Sequence, residues 1–208
     1  SYSPADMTDA EAIAQLVADI ESRAGALDIL VNNAGVQYVS PVEDFPAAKW
    51  EQILARNLSA NFYTIKAAMP GMKRRNWGRI IVISSESGVQ IPAEMIQYGV
   101  TKTMQIALAR GLAETSSGTG VTVNSVLPGP TRSEGVDGFV KNMAKHQGKS
   151  TVEVEKEFFK SVRPSSLLQR FATNEEVANL VAYVASPLSS ATNGAALRVD
   201  GGVVRSIL

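Results

Sequence analysis

The grouping of apolar residues constrains this chain more than any other feature. Four short segments rich in Val, Ile and Leu recur along it: Asp28-Ile29-Leu30-Val31, Arg79-Ile80-Ile81-Val82-Ile83, Val121 to Leu127, and Ala196-Leu197-Arg198-Val199. Stretches of helical spacing separate them. Ile13, Leu16, Val17 and Ile20 follow a capping box, Thr8-Asp9-Ala10-Glu11, with Thr8 as the expected N-cap and Gly25 as the stop. Trp50, Ile53, Leu54, Leu58, Phe62 and Ile65 run from Pro46 towards Pro70-Gly71, and another helix is expected from Tyr98 to Glu114. A second capping box, Thr173-Asn174-Glu175-Glu176, opens a helix carrying Val177, Leu180, Val181 and Val184. Buried strands alternating with helices predict an α/β fold whose parallel sheet is covered on both faces. Residues 1–208 read as one domain, and about 135–162 as mobile, interrupted amphipathic helices.

Composition narrows the chemistry. The 208 residues carry 20 Lys+Arg against 20 Asp+Glu, one His and no Cys. Zero net charge argues against a sequence-independent grip on nucleic acid or an anionic membrane. The basic cluster Lys73-Arg74-Arg75, near Trp77 and Arg79, fits a helix C-terminus, where cations complement the dipole. Without Cys there is no disulfide framework, thiol catalysis or Cys-ligated zinc. With only His146, no His-based metal cluster or serine triad is supplied, and Ser85 and Ser87 lack a G-x-S-x-G elbow. No apolar run approaches the ~18 residues of a membrane span, and no signal-peptide pattern opens the sequence, so a cytoplasmic protein handling a small molecule is expected.

In open parallel sheets, ligands gather beyond the carboxyl ends of the strands. Those ends here are Asn32-Asn33-Ala34-Gly35, Ser84-Ser85 and Pro128-Gly129-Pro130-Thr131, which are also common turn residues. Tyr98 and Lys102 stand four apart and project from one helix face. An ammonium near a phenol favours the phenolate and lowers its pKa, which suits proton transfer.

Asn-Asn-Ala-Gly after a strand, Asn57 in the next helix, Ser85 thirteen residues before Tyr98, and Lys102 four after it occur in one order. With Asn124, Pro128-Gly129 and the closing Asp200-Gly201-Gly202, this pattern strongly resembles the short-chain dehydrogenase/reductase family over residues 5–208. The resemblance implies a Rossmann-type, doubly wound parallel sheet in three α/β/α layers. It also implies interconversion of a secondary alcohol and a carbonyl by hydride transfer with NAD or NADP. Tyr98 would be the acid/base, Lys102 would depress its pKa and bind the nicotinamide ribose, and Ser85, rather than Ser84 or Ser87, would hold the substrate oxygen. Asn57 would keep its helix open for a water. Asp6 and Met7 match adenine contacts, Asn33-Ala34-Gly35 would lie near the adenosine, and Pro128, Gly129 and Thr131 would line the nicotinamide. Residues about 132–170 would form a substrate lid. A dimer or homotetramer would form through the helices at about 47–70 and 98–115 and the last strand. The first part, through about Trp77-Gly78-Arg79, resembles 3-hydroxybutyrate dehydrogenases. The remainder resembles 3-oxoacyl-carrier-protein reductases, so the resemblance names no single substrate.

One departure is large. The family's TGxxxGxG turn, which binds pyrophosphate at a helix N-terminus, is absent, and Gly118-Thr119-Gly120 lies in the reverse context, after a helix and before a strand. Relative to a doubly wound sheet, about fifty residues forming two strands and two helices are expected to be missing at the start. Two expectations follow. In one, these residues are the larger part of an oxidoreductase. In the other, the chain is a non-catalytic remnant acting as an oligomeric scaffold or partner, and binds dinucleotide poorly.

Overall fold

The computed structural model describes residues 1–207; the expected domain end, Leu208, lies outside them. Helix α1 (Ala10–Ala24) leads to strand β1 (Ile29–Asn32). Helices α2 (Ala47–Leu54) and α3 (Ala60–Arg75) follow, then β2 (Gly78–Ile83), α4 (Ile96–Glu114) and β3 (Val121–Pro128). Helices α5 (Glu134–Gln147), α6 (Thr151–Ser161) and α7 (Asn174–Ala185) precede β4 (Ala196–Val199). The strands lie in the order β1-β2-β3-β4 and every pairing is parallel, so all four carboxyl ends share one rim.

The apolar runs are continuous because both faces of the central strands are covered. On one face Ile80, Val82, Val121 and Val123 pack with Val17 of α1, Ile65 and Met72 of α3, and Ala109 and Ala113 of α4. On the other, Ile81 and Val126 pack with Val184, Leu180 and Val181 of α7. The result is the three-layer α/β/α arrangement expected from the sequence. Each fully buried Val or Ile contributes roughly 1.5–3 kcal/mol, and Ile80, Ile81, Val82, Val121, Val123 and Val126 are all fully buried. The flanking strand β1 is different: Ile29 and Val31 remain 43% and 42% exposed.

Three local expectations are revised. The N-cap of α1 is Asp9, not Thr8: the Asp9 carboxylate accepts from the backbone N–H of Glu11 and Ala12. Thr8 is engaged elsewhere, its backbone N–H and hydroxyl both donating to Asp6 Oδ1 at 2.9 and 2.8 Å. The stretch after Pro46 is not one helix towards Pro70. A π-helical turn, Ala55–Ser59, separates α2 from α3, and α3 runs through Pro70 to Arg75. Burial of Met72 against the sheet holds the helix together beyond the proline, and Asn76 ends it in the left-handed conformation. The basic cluster forms the last turn of α3, as expected. Lys73 donates to the Thr115 carbonyl, and Arg75 donates to the Leu27 carbonyl and pairs with Glu21.

The polar 134–161 stretch forms two helices with a small core of their own: Val140, Ala144, Val154 and Phe159, joined by Phe171. Ser133 caps α5, and Ser150 with Glu153 makes a full capping box on α6. At its base Arg132 pairs with Asp137 at 3.0 Å and Glu155 at 2.7 Å.

Candidate active site

The rim at the carboxyl ends of the strands gathers most of the residues singled out in the sequence. Ser84 and Ser85 follow β2, and a tight 3-10 turn, Glu86–Gly88, turns the chain against α4. Gly88 is required there, because a Cβ would come within 2.8 Å of the Lys102 backbone carbonyl carbon. Ser84 is consumed structurally: its hydroxyl donates to the Lys102 carbonyl at 2.8 Å. Ser85 stands free of that task. Its Oγ donates to Glu86 Oε2 at 2.5 Å and accepts from the Ser87 N–H at 3.1 Å.

Tyr98 and Lys102 lie on the first turns of α4, on one face as their spacing requires. Lys102 is buried, its Nζ 5.5 Å from the Tyr98 ring centroid and donating to the Ile83 carbonyl at 2.9 Å. Burial depresses the Lys102 ammonium to about 8. The Tyr98 phenol moves opposite to the sequence expectation. Burial pushes it up to about 12, a hydrogen bond with Ser85 offsets part of this, and the Glu86 charge adds to it. The reason is that Tyr98 and Lys102 are withdrawn from water together, and desolvation penalises a buried phenolate directly.

Asn57 occupies the π-helical turn and is fully buried. Its amide accepts from the Val36 N–H at 2.8 Å and donates to the Val36 carbonyl at 2.9 Å and to Thr101 at 3.0 Å. The widened turn also leaves the Asn57 carbonyl to accept from Asn61 and Gln105. Thus Asn57 ties the loop after β1 to α4, one residue from Lys102. A π-helical turn at a functional site is a recurring association.

The strand-end loops flank this cluster. Asn33, Ala34 and Gly35 are exposed after β1. A Cβ on Gly35 would sit 3.1 Å from Asn57 Oδ1 and 4.0 Å from Lys102 Nζ, so glycine keeps open the space beside the ammonium. Pro128, Gly129 and Thr131 continue from β3, where Thr131 bridges to Ala172 and donates to the Gly129 carbonyl at 2.9 Å. A glycine, a buried ammonium and successive strand ends thus lie together at the rim where ligands gather in open parallel sheets. Asp6 and Met7 lie apart from the Ser85–Tyr98–Lys102 cluster. Asp6 is exposed, its carboxyl held below the usual range chiefly by Thr8, with a smaller influence from Arg56 of the π-helical turn.

Two site residues had no signal in the sequence. Glu86 and Arg163 are buried and paired at 3.2 Å, and they come together only because the chain beyond α6 returns to the turn after β2.

Comparison with known proteins gives the family. The family model described as Enoyl-(Acyl carrier protein) reductase matches residues 1–204. The uncharacterized oxidoreductase YvrD of Bacillus subtilis is 43% identical over 98% of this chain and 77% of its own length. A D-beta-hydroxybutyrate dehydrogenase of Rhizobium meliloti is 38% identical over 97% of this chain and 77% of its own. Among solved structures, the NADPH-dependent reductase YwfH, involved in bacilysin biosynthesis, superposes with a TM-score of 0.85 at 26% identity, covering 97% of this chain and 76% of that one. With the Asn57–Ser85–Tyr98–Lys102 constellation on a Rossmann-type sheet, these matches establish that the chain belongs to the short-chain dehydrogenase/reductase family of NAD(P)-dependent oxidoreductases.

Proposed function

We propose that this oxidoreductase interconverts a secondary alcohol and a carbonyl, with Tyr98 moving the proton. The observation that carries the reading is the convergence of Ser85, Tyr98 and Lys102 at the carboxyl end of β2, with Asn57 anchoring the helices around them. When bound, NAD or NADP supplies or accepts the hydride. The protein supplies position and the proton. Tyr98, a neutral phenol at neutral pH whose proton burial holds more tightly still, donates that proton to the oxygen of a carbonyl being reduced. In the reverse direction it accepts the alcohol proton. Ser85 offers its hydroxyl to the same oxygen. Lys102 would hold the ribose beside Gly35, and Asn57 would place Lys102 through α4. Asn33, Ala34 and Gly35 would contact the adenosine, Asp6 and Met7 the adenine, and Pro128, Gly129 and Thr131 the nicotinamide. Residues about 132–170 would cover the substrate.

A homo-oligomer belongs to the same proposal: Phe62 on α3 and Met104 on α4 are 44% and 36% exposed, which suits a dimer or tetramer through these helices. A cytoplasmic location accords with there being, among the described residues, no helix long and apolar enough to cross a membrane. Titration of the chain with NADH and NADPH, followed by nicotinamide fluorescence, together with a turnover assay on a panel of secondary alcohols, tests the reading. Saturable binding with turnover of a secondary alcohol supports it, and saturable binding with no turnover of any of them overturns it.

A further inference from the structure

The buried pair Glu86–Arg163 is unusual in its placement. Two charges withdrawn from water are costly unless each is fully partnered. Glu86, 4% exposed, meets that condition: Oε1 accepts from Arg163 Nε at 3.2 Å, and Oε2 accepts from Ser85 Oγ at 2.5 Å, Ser87 N at 2.6 Å and Ser87 Oγ at 2.9 Å. Arg163, 8% exposed, also donates through Nη1 to Glu94 at 3.1 Å and to the Val162 carbonyl at 2.9 Å. Glu86 opens the turn on which Ser85 stands, while Arg163 lies just beyond α6, at the end of the helical segment over the rim. One ion pair therefore joins the two sides of the candidate site.

The single Ser85 hydroxyl proton can point to the Glu86 carboxylate, to Tyr98 or to an oxygen in the site. The carboxylate is the strongest acceptor of these, and with Arg163 bonded to its other oxygen Ser85 Oγ rests on Oε2 at 2.5 Å. Arg163 thus fixes the carboxylate on which Ser85 is set. Tyr98, raised first by burial, is raised further by the charge of the same Glu86 carboxylate.

We propose that Glu86 and Arg163 are a positioning pair, through which the 134–163 segment fixes the carboxylate that holds Ser85 Oγ and so sets Ser85 for the substrate oxygen. This deepens the reading above and rests on its placement of Ser85 and Tyr98.

Arg163→Met, Glu86→Gln and the double variant test it by two readouts. Hydrogen exchange of peptides spanning 84–90 and 150–163 needs no turnover. Arg163→Met should speed exchange in both by about tenfold, and the double variant, with no charge left unpaired, should return most of the protection. Faster exchange at 150–163 with 84–90 unchanged overturns the coupling. For kinetics, the wild-type chain is offered NAD or NADP and a panel of secondary alcohols including D-3-hydroxybutyrate. Arg163→Met should lower kcat between about tenfold and a hundredfold with KM for the nucleotide unchanged, and adding Glu86→Gln should restore much of it. Equal losses in single and double variants overturn the proposal. Tyr98→Phe in the same assay separates the two ideas. Turnover retained there refutes the Tyr98 assignment, while the exchange readout still decides whether the two sides are coupled. Should Arg163→Met not fold, Arg163→Lys gives the same pattern at smaller size.

Discussion

The central sheet and the 132–171 segment are held together by different physics. Strands β2 and β3 are locked by continuous apolar burial on two faces, with Ile81 and Val126 fully inaccessible. The 132–171 segment has a separate apolar cluster around Phe159, an internal charge cluster of Arg132 with Asp137 and Glu155, and one ion pair to the turn after β2, Arg163 to Glu86. Burial is non-directional and insensitive to what enters the groove, so it suits the side that positions Tyr98 and Lys102. Charge pairs are directional, so the buried Arg163–Glu86 pair fixes where the segment meets the turn after β2.

The largest effect that sharpens this contrast is chemical. Tyr98→Phe removes only a hydroxyl on the frame side, so turnover should fall by on the order of 10²–10⁴-fold while nucleotide affinity, read by fluorescence, stays near wild type. Retained turnover would place the proton transfer elsewhere.

Next come two core truncations of comparable cost and different reach. Ile81→Ala should lower global stability by about 2–5 kcal/mol in denaturant titration. Phe159→Ala, buried in the separate cluster, should cost roughly 3–5 kcal/mol locally and lose hydrogen-exchange protection only across 132–171. If Phe159→Ala shifts the global midpoint as Ile81→Ala does, the two regions are one cooperative unit.

A third test uses pH. The folded protein holds the Lys102 proton less tightly than the unfolded chain, about 8 against 10.5. Below pH 8 both states are protonated and the burial penalty is complete. Between about 8 and 10.5 only the unfolded state keeps its proton, so the penalty fades, and above that it is gone. Lys102→Met should therefore stabilise the fold at pH 7 by up to on the order of 3 kcal/mol, lose that advantage as pH rises towards 10.5, and abolish turnover. A pH-independent change in melting temperature would contradict the buried, penalised ammonium.

The smallest effect lies in the charge ties. Arg132 is one-third exposed, so Arg132→Met should cost about 1 kcal/mol or less. It should raise KM for the alcohol more than it lowers kcat. A kcat loss as large as that of Tyr98→Phe would place Arg132 in the chemistry itself.

Much of the frame was legible in the residue order. The apolar runs of β2 and β3, the capping box at Thr173 and the stop at Gly25 are local signals, each set by neighbours within a few positions, and they appear where expected. The Thr8 cap was misread because Thr8 and Asp9 both suit the role, and the competing Asp6–Thr8 turn settles which one acts. The end of α3 was misread because a proline argues for a stop that burial of Met72 overrides.

By itself the sequence determined the alternation of helices and buried strands, the parallel sheet and the spacing of Ser85, Tyr98 and Lys102, because periodicity and turn chemistry are carried by adjacent residues. Only the tertiary structure decided the direction in which Tyr98 and Lys102 shift and the meeting of Glu86 with Arg163. The Tyr98 phenol rises rather than falls because desolvation depends on everything packed around it. The Glu86–Arg163 pair joins residues 77 positions apart, a separation no local pattern encodes.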